Sequence, residues 1–446
     1  MGIYRGASGN LLYDMQLDMH KKYFPGWKAE LTLYNAVMAK GFMAGGGKLA
    51  MDFAKWDPRQ RRLMVDLTLQ MRGGMTGYLG TATSKNLQTG GQDVQGKVVA
   101  YDFAGIAHSF IYDMVLEKLN TAAGDHESML RDTLVQQMET MKNNANLILW
   151  AGKTAQVLSS CEFSAAAQTI IVPPGVSVQN LYVGMLLSDT TAVGSTISSG
   201  NPLVNYHGEI SAIDEFEGGY KITYVHYDHS TATQFTSAAT TAHLHGQYNV
   251  SPYGLLDFVT AGNTVGDLAR TGRYNPIVKA AADVPNFSTD PAAGIVGQAA
   301  RIRRNTSNAV RINMVLMSDL TAIWLQGKYA SRLQVNQTGA LRAANPEKKA
   351  FGFDPIFEIS PSITAYICDT IPDGETILMD SNNIGFTPLP GEDAGPNYVD
   401  QLASDAKGAG IRIHGTLNKE TALVWLYQLY ARDLGGFGRI HTISLT

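Results

Sequence analysis

The sequence predicts an α+β fold, and three observations carry that prediction. From Leu63 to Arg72 apolar and polar residues alternate, with Leu63, Val65, Leu67, Leu69 and Met71 on one face and Asp66, Thr68, Gln70 and Arg72 on the other, the period of a half-buried strand. From Asp125 to Trp150 there is neither Gly nor Pro, and Leu130, Leu134, Met138, Met141, Ala145 and Leu149 recur at steps of three and four. That is the period of a helix of about 25 residues, roughly 37 Å long. After Gly152 the helical period stops, and short apolar runs (QTIIVPPGVSV, NLYVGMLLSD, HGEISAID, YKITYVHYD) are separated by turn signals such as VPPG, SSGNP and EGGY, the pattern of a compact all-β module.

The elements follow in order. Residues 1–48 have scattered aromatics and no sustained period, which predicts an extended arm that orders against another surface. Within it AKGFMAGGGKLAM ends on three glycines and a lysine, like a phosphate loop, but Phe42 stands where the first glycine belongs and Leu49 where the metal-holding hydroxyl belongs. The nucleotide reading therefore gives way to a mechanical one, with Gly45, Gly46 and Gly47 as a hinge that exploits glycine's freedom at positive φ. The strand at Leu63 to Arg72, a glycine-rich polar stretch and KVVAYDF (Lys97 to Phe103) make a long hairpin over residues 49–104. An isolated ribbon is barely stable in water, so its expected place is against a neighbouring subunit. Gly124 and Gly152 bracket the long helix within residues 105–155, with Asp125 as its cap. The all-β module takes 156–250. Over 251–410, PAAGIVGQAARIRR reads as a helix, RINMVLMS as a buried strand feeding the helix DLTAIWLQGKYA, and FGFDPIFEISPSITAYICDTIPDGETILMD as two or three strands with a turn between Ile371 and Glu375. Residues 411–446 close on two apolar runs joined by Gly435-Gly436-Phe437-Gly438, which predicts a hairpin strand pair.

Composition bounds the function. Of the 446 residues 45% are hydrophobic and only 17% charged, so much of the surface is expected to be covered by something other than water. Cys161 and Cys368 are the only cysteines, which excludes a disulfide framework and a cysteine metal cluster and predicts two reduced, buried thiols. No apolar run approaches eighteen residues and no secretion signal opens the chain, predicting a soluble protein made in a cytoplasm, with no membrane partner. The net charge of -4 is unevenly placed. Residues 1–48 carry six basic side chains against Asp14, Asp18 and Glu30, a net +3, while 156–250 carry only Lys221 against seven carboxylates, a net -6. Neither resembles the dense basic stripe of a sequence-reading DNA-binding domain.

Candidate chemistry is sparse. His226, His229, His243 and His245, with Asp228, fall within twenty residues, and two pairs on adjacent strands would suit zinc; the alternative is four histidines on one face of the β-module. Arg301, Arg303 and Arg304 in ARIRRN, with Arg59, Arg61 and Arg62 in PRQRRL at the hairpin root and Arg72 on its polar face, are read as intersubunit salt links rather than a nucleic-acid grip. A Gly-x-Ser-x-Gly elbow, a Gly-x-Gly-x-x-Gly turn after a strand, a His-Glu-x-x-His helix and a Cys/His pair are all absent, so the chain is expected to be neither an enzyme nor a cofactor carrier.

An arm, a long glycine-tipped hairpin, one unbroken helix, a β-module and a mixed region closing in C-terminal strands: this order resembles the major capsid protein of tailed bacteriophages, the Hong Kong 97-type fold. DPRQRRLMVDLTLQMRGGMTG through KVVAYDF is similar to its extended loop, and Asp125 to Trp150 to its spine helix. RINMVLMSDLTAIWLQ with the strands after it is similar to the passage through its axial domain, the rest of 251–446 then belonging to peripheral and axial domains. The resemblance implies self-association into pentamers and hexamers of an icosahedral shell around double-stranded DNA held by non-specific contact. It also implies portal and decoration proteins as partners and the virion as destination, after assembly in the host cytoplasm. Some members carry a long scaffolding segment at the N-terminus; here a short arm follows Met1, so a separate scaffolding protein is expected. Some join subunits through lysine, for which Lys85 in the hairpin tip is the candidate donor. A phage tail or adhesion component, and a hydrolase using the histidine cluster, are the competing readings.

Overall fold

The computed structural model describes residues 54–57, 59, 62–67, 98–102, 104–113, 140, 143–164, 168–173, 176–188, 207–216, 219–226, 241–333, 356–360, 362–368, 370–388, 397–398, 411–412 and 418–445. The glycine hinge, Lys85 and residues 125–139, 141 and 142 of the predicted long helix lie outside them.

The hairpin is anchored in the chain's own core. Leu63, Val65 and Leu67 are buried while Asp66 is exposed, because every second side chain of an extended segment faces the same way. The strand β2 (Arg62–Asp66) pairs antiparallel with β3 (Val98–Asp102), Leu63 opposite Tyr101 and Val65 opposite Val99. A short strand that periodicity did not reveal, β1 (Ala54–Asp57), adds a third member on the other side of β2. A further unpredicted strand, β4 (Gly105–Asp113), runs antiparallel to residues 418–426 over nine residue pairs. It ties the first third of the chain to its C-terminal region.

Residues 143–151 form the helix α1. The predicted face positions Ala145 and Leu149 are buried, but so are Leu147, Ile148, Trp150 and Ala151: this end of the helix is enclosed on all sides rather than along one stripe. Gly152 terminates it at φ 67°, a left-handed value that glycine adopts without a Cβ penalty.

Seven antiparallel strands follow between Gln156 and Leu244. In chain order they are β5 (Gln156–Leu158), β6 (Glu162–Ser164), β7 (Thr169–Val172), β8 (Leu186–Ser188), β9 (His207–Phe216), β10 (Gly219–His226) and β11 (Ala242–Leu244), and they lie side by side as β5-β11-β8-β9-β10-β7-β6. Their buried face, including Ile170, Leu187, Ile210 and Ile222, shares one continuous core with α1, β2 and β3.

The mixed region begins with the short helix α2 (Leu255–Val259), and after the two-stranded ribbon β12 (Thr264–Val265) and β13 (Leu268–Ala269) it builds a six-stranded sheet. That sheet comprises β14 (Ile277–Ala280), β15 (Met314–Met317), β16 (Ile356–Ser360), β17 (Ile363–Ile367), β18 (Thr376–Met379) and β23 (Gly438–His441), ordered β14-β23-β18-β15-β17-β16. Two of its ladders, β14 with β23 and β15 with β17, are parallel. The helices α3 (Pro291–Asn305) and α4 (Asp319–Leu333) cover one face, where Ile295, Ile302, Ala322 and Leu325 meet Val315, Met317, Ala365, Leu378 and Ile440. The alternate residues Met314, Leu316, Ile377 and Met379 join the other core. Burial on both faces is why MVLM and TILM read as unbroken apolar runs.

One expectation is corrected. The C-terminal runs are both strands, β22 (Asn418–Ala431) and β23, but they do not form a hairpin. The strand β22 pairs with β4, β19 (Ile384–Pro388), β20 (Asn397–Tyr398) and β21 (Ile411–Arg412), whereas β23 inserts between β14 and β18 of the other sheet. The glycine-rich link is a buried crossover. Gly435 lies so close to the backbone of Arg273 that a Cβ there would come within 1.8 Å of its carbonyl oxygen.

Candidate assembly surface

The most heavily wired polar group is not one the sequence singled out. Arg270 is only 2% exposed. Its Nε donates to the Tyr274 carbonyl at 3.0 Å, Nη1 to the carbonyls of Asp257 at 2.8 Å and Thr260 at 3.1 Å, and Nη2 to those of Phe258 at 2.7 Å and Leu434 at 2.8 Å. Nη1 also donates to Asn263 Oδ1 at 3.1 Å. A guanidinium holds five N–H donors in a fixed fork, and here the fork ties the end of α2, the 263–274 loop and the C-terminal crossover together.

The nearby carboxylate of Asp257 offsets that buried charge. Its Oδ2 accepts the backbone amides of Lys153 at 2.8 Å and Gly254 at 2.9 Å, closing the end of α1 onto the start of α2. Burial pushes its pKa up to about 6, against the opposing pull of those two amides, Lys153 and Arg270. Burial likewise lowers Arg270 to about 10, so it remains charged at neutral pH. Every described partner of this node belongs to the scaffold, and the chemistry it performs is structural. Nothing in the residues around Arg270 (DLARTGRYNP) distinguishes a buried fork from a surface arginine, since neighbours in space, not in sequence, decide burial.

The predicted site residues are dispersed. Arg62 pairs with Asp102 of its own chain at 2.8 Å across the β2–β3 ladder, both side chains substantially exposed. Arg59 is exposed, its amide donating to Asp57. Arg303 donates to Asn308 Oδ1 at 2.9 Å, and Arg304 through Nε to the Ala300 carbonyl at 3.3 Å. Arg301 and Arg304 face an open cleft of about 520 Å³ between the last turn of α3 and the 272–277 loop. Arg61, Arg72 and Gly45, Gly46 and Gly47 lie outside the described residues.

The histidines are not on adjacent strands, which corrects the metal pairing. His226 ends β10 and His243 lies on β11, with β8 and β9 between them, a separation of roughly 14 Å at the usual spacing of strands. His243 is buried, its Nδ1 facing the Thr154 carbonyl at 2.8 Å and its Nε2 the Thr241 hydroxyl at 3.1 Å. His229 lies outside the described residues, and among those described no three metal-ligating side chains gather. Both cysteines are buried and neither forms a disulfide, and burial pushes Cys161 up to about 12, far from a reactive thiolate. Among the described residues no helix is long and apolar enough to cross a membrane.

Apolar side chains do remain outward. Val98, where the β2–β3 ribbon leaves the core, is 49% exposed. On α4, Leu320 and Ile323 are 54% and 43% exposed and, three residues apart, share one face. The opposite side of α4 is spent: Ala322 and Leu325 enter the core, and Trp324 stacks on Phe287 with ring centroids 6.0 Å apart. These side chains and the arginine cleft are the outward apolar and basic features nearest the hairpin root, α3 and α4.

No protein-family model matches the chain, and no curated protein matches it. Among solved structures it is similar to the capsid of cyanophage A-1(L), at 12% identity and a TM-score of 0.44 over 91% of this chain and 94% of that one. It is also similar to the capsid of Myoviridae phage XM1, at 11% identity and 0.37 over 85% of each chain. A third likeness is to an encapsulin complex from Synechococcus elongatus, at 9% identity and 0.36 over 89% of this chain and 87% of that one.

Proposed function

We propose that the chain is the major capsid protein of a tailed bacteriophage, forming pentamers and hexamers of an icosahedral shell that encloses double-stranded DNA. The hairpin is the observation that carries this reading. Its root is locked into the chain's own core through Leu63, Val65, Val99 and Tyr101, and Val98, paired with Asp66 in the described ladder, is half exposed. Residues 73–96, which connect the two strand segments, are glycine-rich and polar. A ribbon of that kind leaving a rigid root gains stability by lying on another surface, and in a shell that surface is the next subunit.

The exposed pair Leu320 and Ile323 on one face of α4 and the low charged fraction of 17% support the same reading, since grouped exposed apolar side chains suit a surface that assembly buries. In this arrangement the basic arm, residues 1–48, faces DNA and the acidic segment 156–250 faces outward. A scaffolding protein, a portal and a decoration protein are its partners, and the virion is its destination. Electron microscopy of the purified protein, alone and co-expressed with candidate scaffolding proteins, tests the reading. Closed shells are expected; tubes or fibres would indicate a tail component, and a small discrete oligomer under all conditions would overturn the proposal.

A further inference from the structure

The cleft at the end of α3 has two chemically distinct walls. One carries Arg301 and Arg304 and the other Pro276 and Ile277, while Gly272, with open space where a Cβ would stand, keeps the mouth wide. Among the described residues Arg301 has no hydrogen-bond or ion-pair partner, and Arg304 spends only its Nε, on the Ala300 carbonyl. The terminal nitrogens of both guanidinium groups are thus left over among the described residues, and a guanidinium can take a carboxylate through two parallel bonds.

Elsewhere on the chain, the β9–β10 hairpin ends in the complementary chemistry. Asp214, Glu215 and Phe216 are all exposed at the end of β9, Phe216 by 46%. In the ladder Lys221 stands opposite Asp214, but Tyr220 stands opposite Glu215, so Glu215 is the carboxylate without a basic cross-strand neighbour. Successive strand residues point to opposite faces. A ribbon entering end-on would therefore present Glu215 to one wall and Phe216 to the other. None of these three residues lines the cleft of its own chain.

We infer that the cleft receives the β9–β10 tip of a second copy of this chain, Glu215 pairing with Arg301 and Arg304 and Phe216 lying against Pro276 and Ile277. Such a contact is head-to-tail, joining two different patches, and repeated around an axis it closes a ring. The inference rests on the shell reading in supposing that copies of the chain meet in rings; the contact itself can be tested without shells.

Two variants with one added cysteine each, Glu215→Cys and Arg304→Cys, are mixed under mild oxidation. A disulfide-linked dimer is expected from the mixture and from neither variant alone, with the native thiols buried and silent. Separately, Arg301→Glu with Arg304→Glu should cut the yield of assembled particles at least tenfold without lowering the melting temperature, and adding Glu215→Arg to that chain should recover most of the loss. Absence of the mixed dimer, or reversal of the cleft charges with no effect on assembly, overturns the contact and leaves the shell reading intact. A mixed dimer from a chain that never forms shells would retain the contact and sink the shell. If the arginine variants assemble normally but retain less DNA, the cleft faces nucleic acid and the proposed occupant is wrong.

Discussion

At the scale of single residues, Asp257 shows burial outweighing every favourable partner. Two amides and two cations draw its pKa down, and desolvation still lifts it to about 6. A carboxyl whose folded value lies above its unfolded one binds its proton more tightly when folded. Its contribution to stability is therefore complete below about pH 4 and is lost as pH rises through 6. The rise from 3.8 to about 6 corresponds to about 3 kcal/mol. Unfolding of the unassembled chain by denaturant should thus show wild type losing about that much more than Asp257→Asn between pH 4 and pH 7; parallel curves would refute the assignment. Gly152 gives the companion test, because a Cβ there would meet Asp257 Oδ2 at 1.9 Å and the backbone is at φ 67°. Gly152→Ala should cost more than about 2 kcal/mol, combining left-handed strain with the displaced carboxylate. The stop at Gly152 was legible in the sequence as the end of a helical period, whereas its partner Asp257, more than a hundred positions away, left no local mark.

At the scale of elements, the sequence shows which segments are strands more clearly than whom they pair with. Alternation in Leu63 to Leu67 and the solid apolar runs MVLM and TILM identify β2, β15 and β18, because burial on one face or two leaves a direct imprint on residue type. Pairing leaves none. The strands β22 and β23 were read as a hairpin from the glycines between them, yet those glycines serve close backbone approach inside a crossover. That crossover is held by Asn383, whose side-chain amide donates to the Asp433 carbonyl while its oxygen accepts the Asp433 amide, both at 2.8 Å. Asp433 in turn accepts from Gly435 and from Arg273, and Phe437 beyond it stacks on Phe258 with centroids 5.6 Å apart. Asn383→Ala would leave the buried Asp433 amide unpaired, at about 1–3 kcal/mol, while the Asp433 carbonyl keeps the Gly436 amide at 3.1 Å. The expected result is a destabilisation of about 1–3 kcal/mol, measured by denaturant titration, together with faster amide exchange across 432–437. A loss below 1 kcal/mol would mean that the crossover is held elsewhere.

At the scale of the whole molecule, the charge split and the low charged fraction were legible because they are sums over sequence, but the continuity of the core was not. The β-rich segment reads as a module of its own, yet its buried residues run into those of α1, β2 and one face of the six-stranded sheet, so its folding is coupled to theirs. What the fold leaves over is then informative. Leu320 and Ile323 point away from a helix whose other side is fully engaged, and they contribute nothing to the core that α4 covers. Leu320→Asp with Ile323→Asp should therefore change the stability of the isolated chain by no more than about 0.5 kcal/mol each, as at ordinary surface positions. In assembly the same carboxylates would be desolvated without partners, a cost of several kcal/mol per buried charge, repeated at every equivalent contact of a symmetric particle. The double variant should remain folded by calorimetry and sediment as unassembled protein under conditions where wild type forms particles. Normal particles from this variant would show that α4 faces solvent in the shell, and the interface would have to be sought on the hairpin side instead.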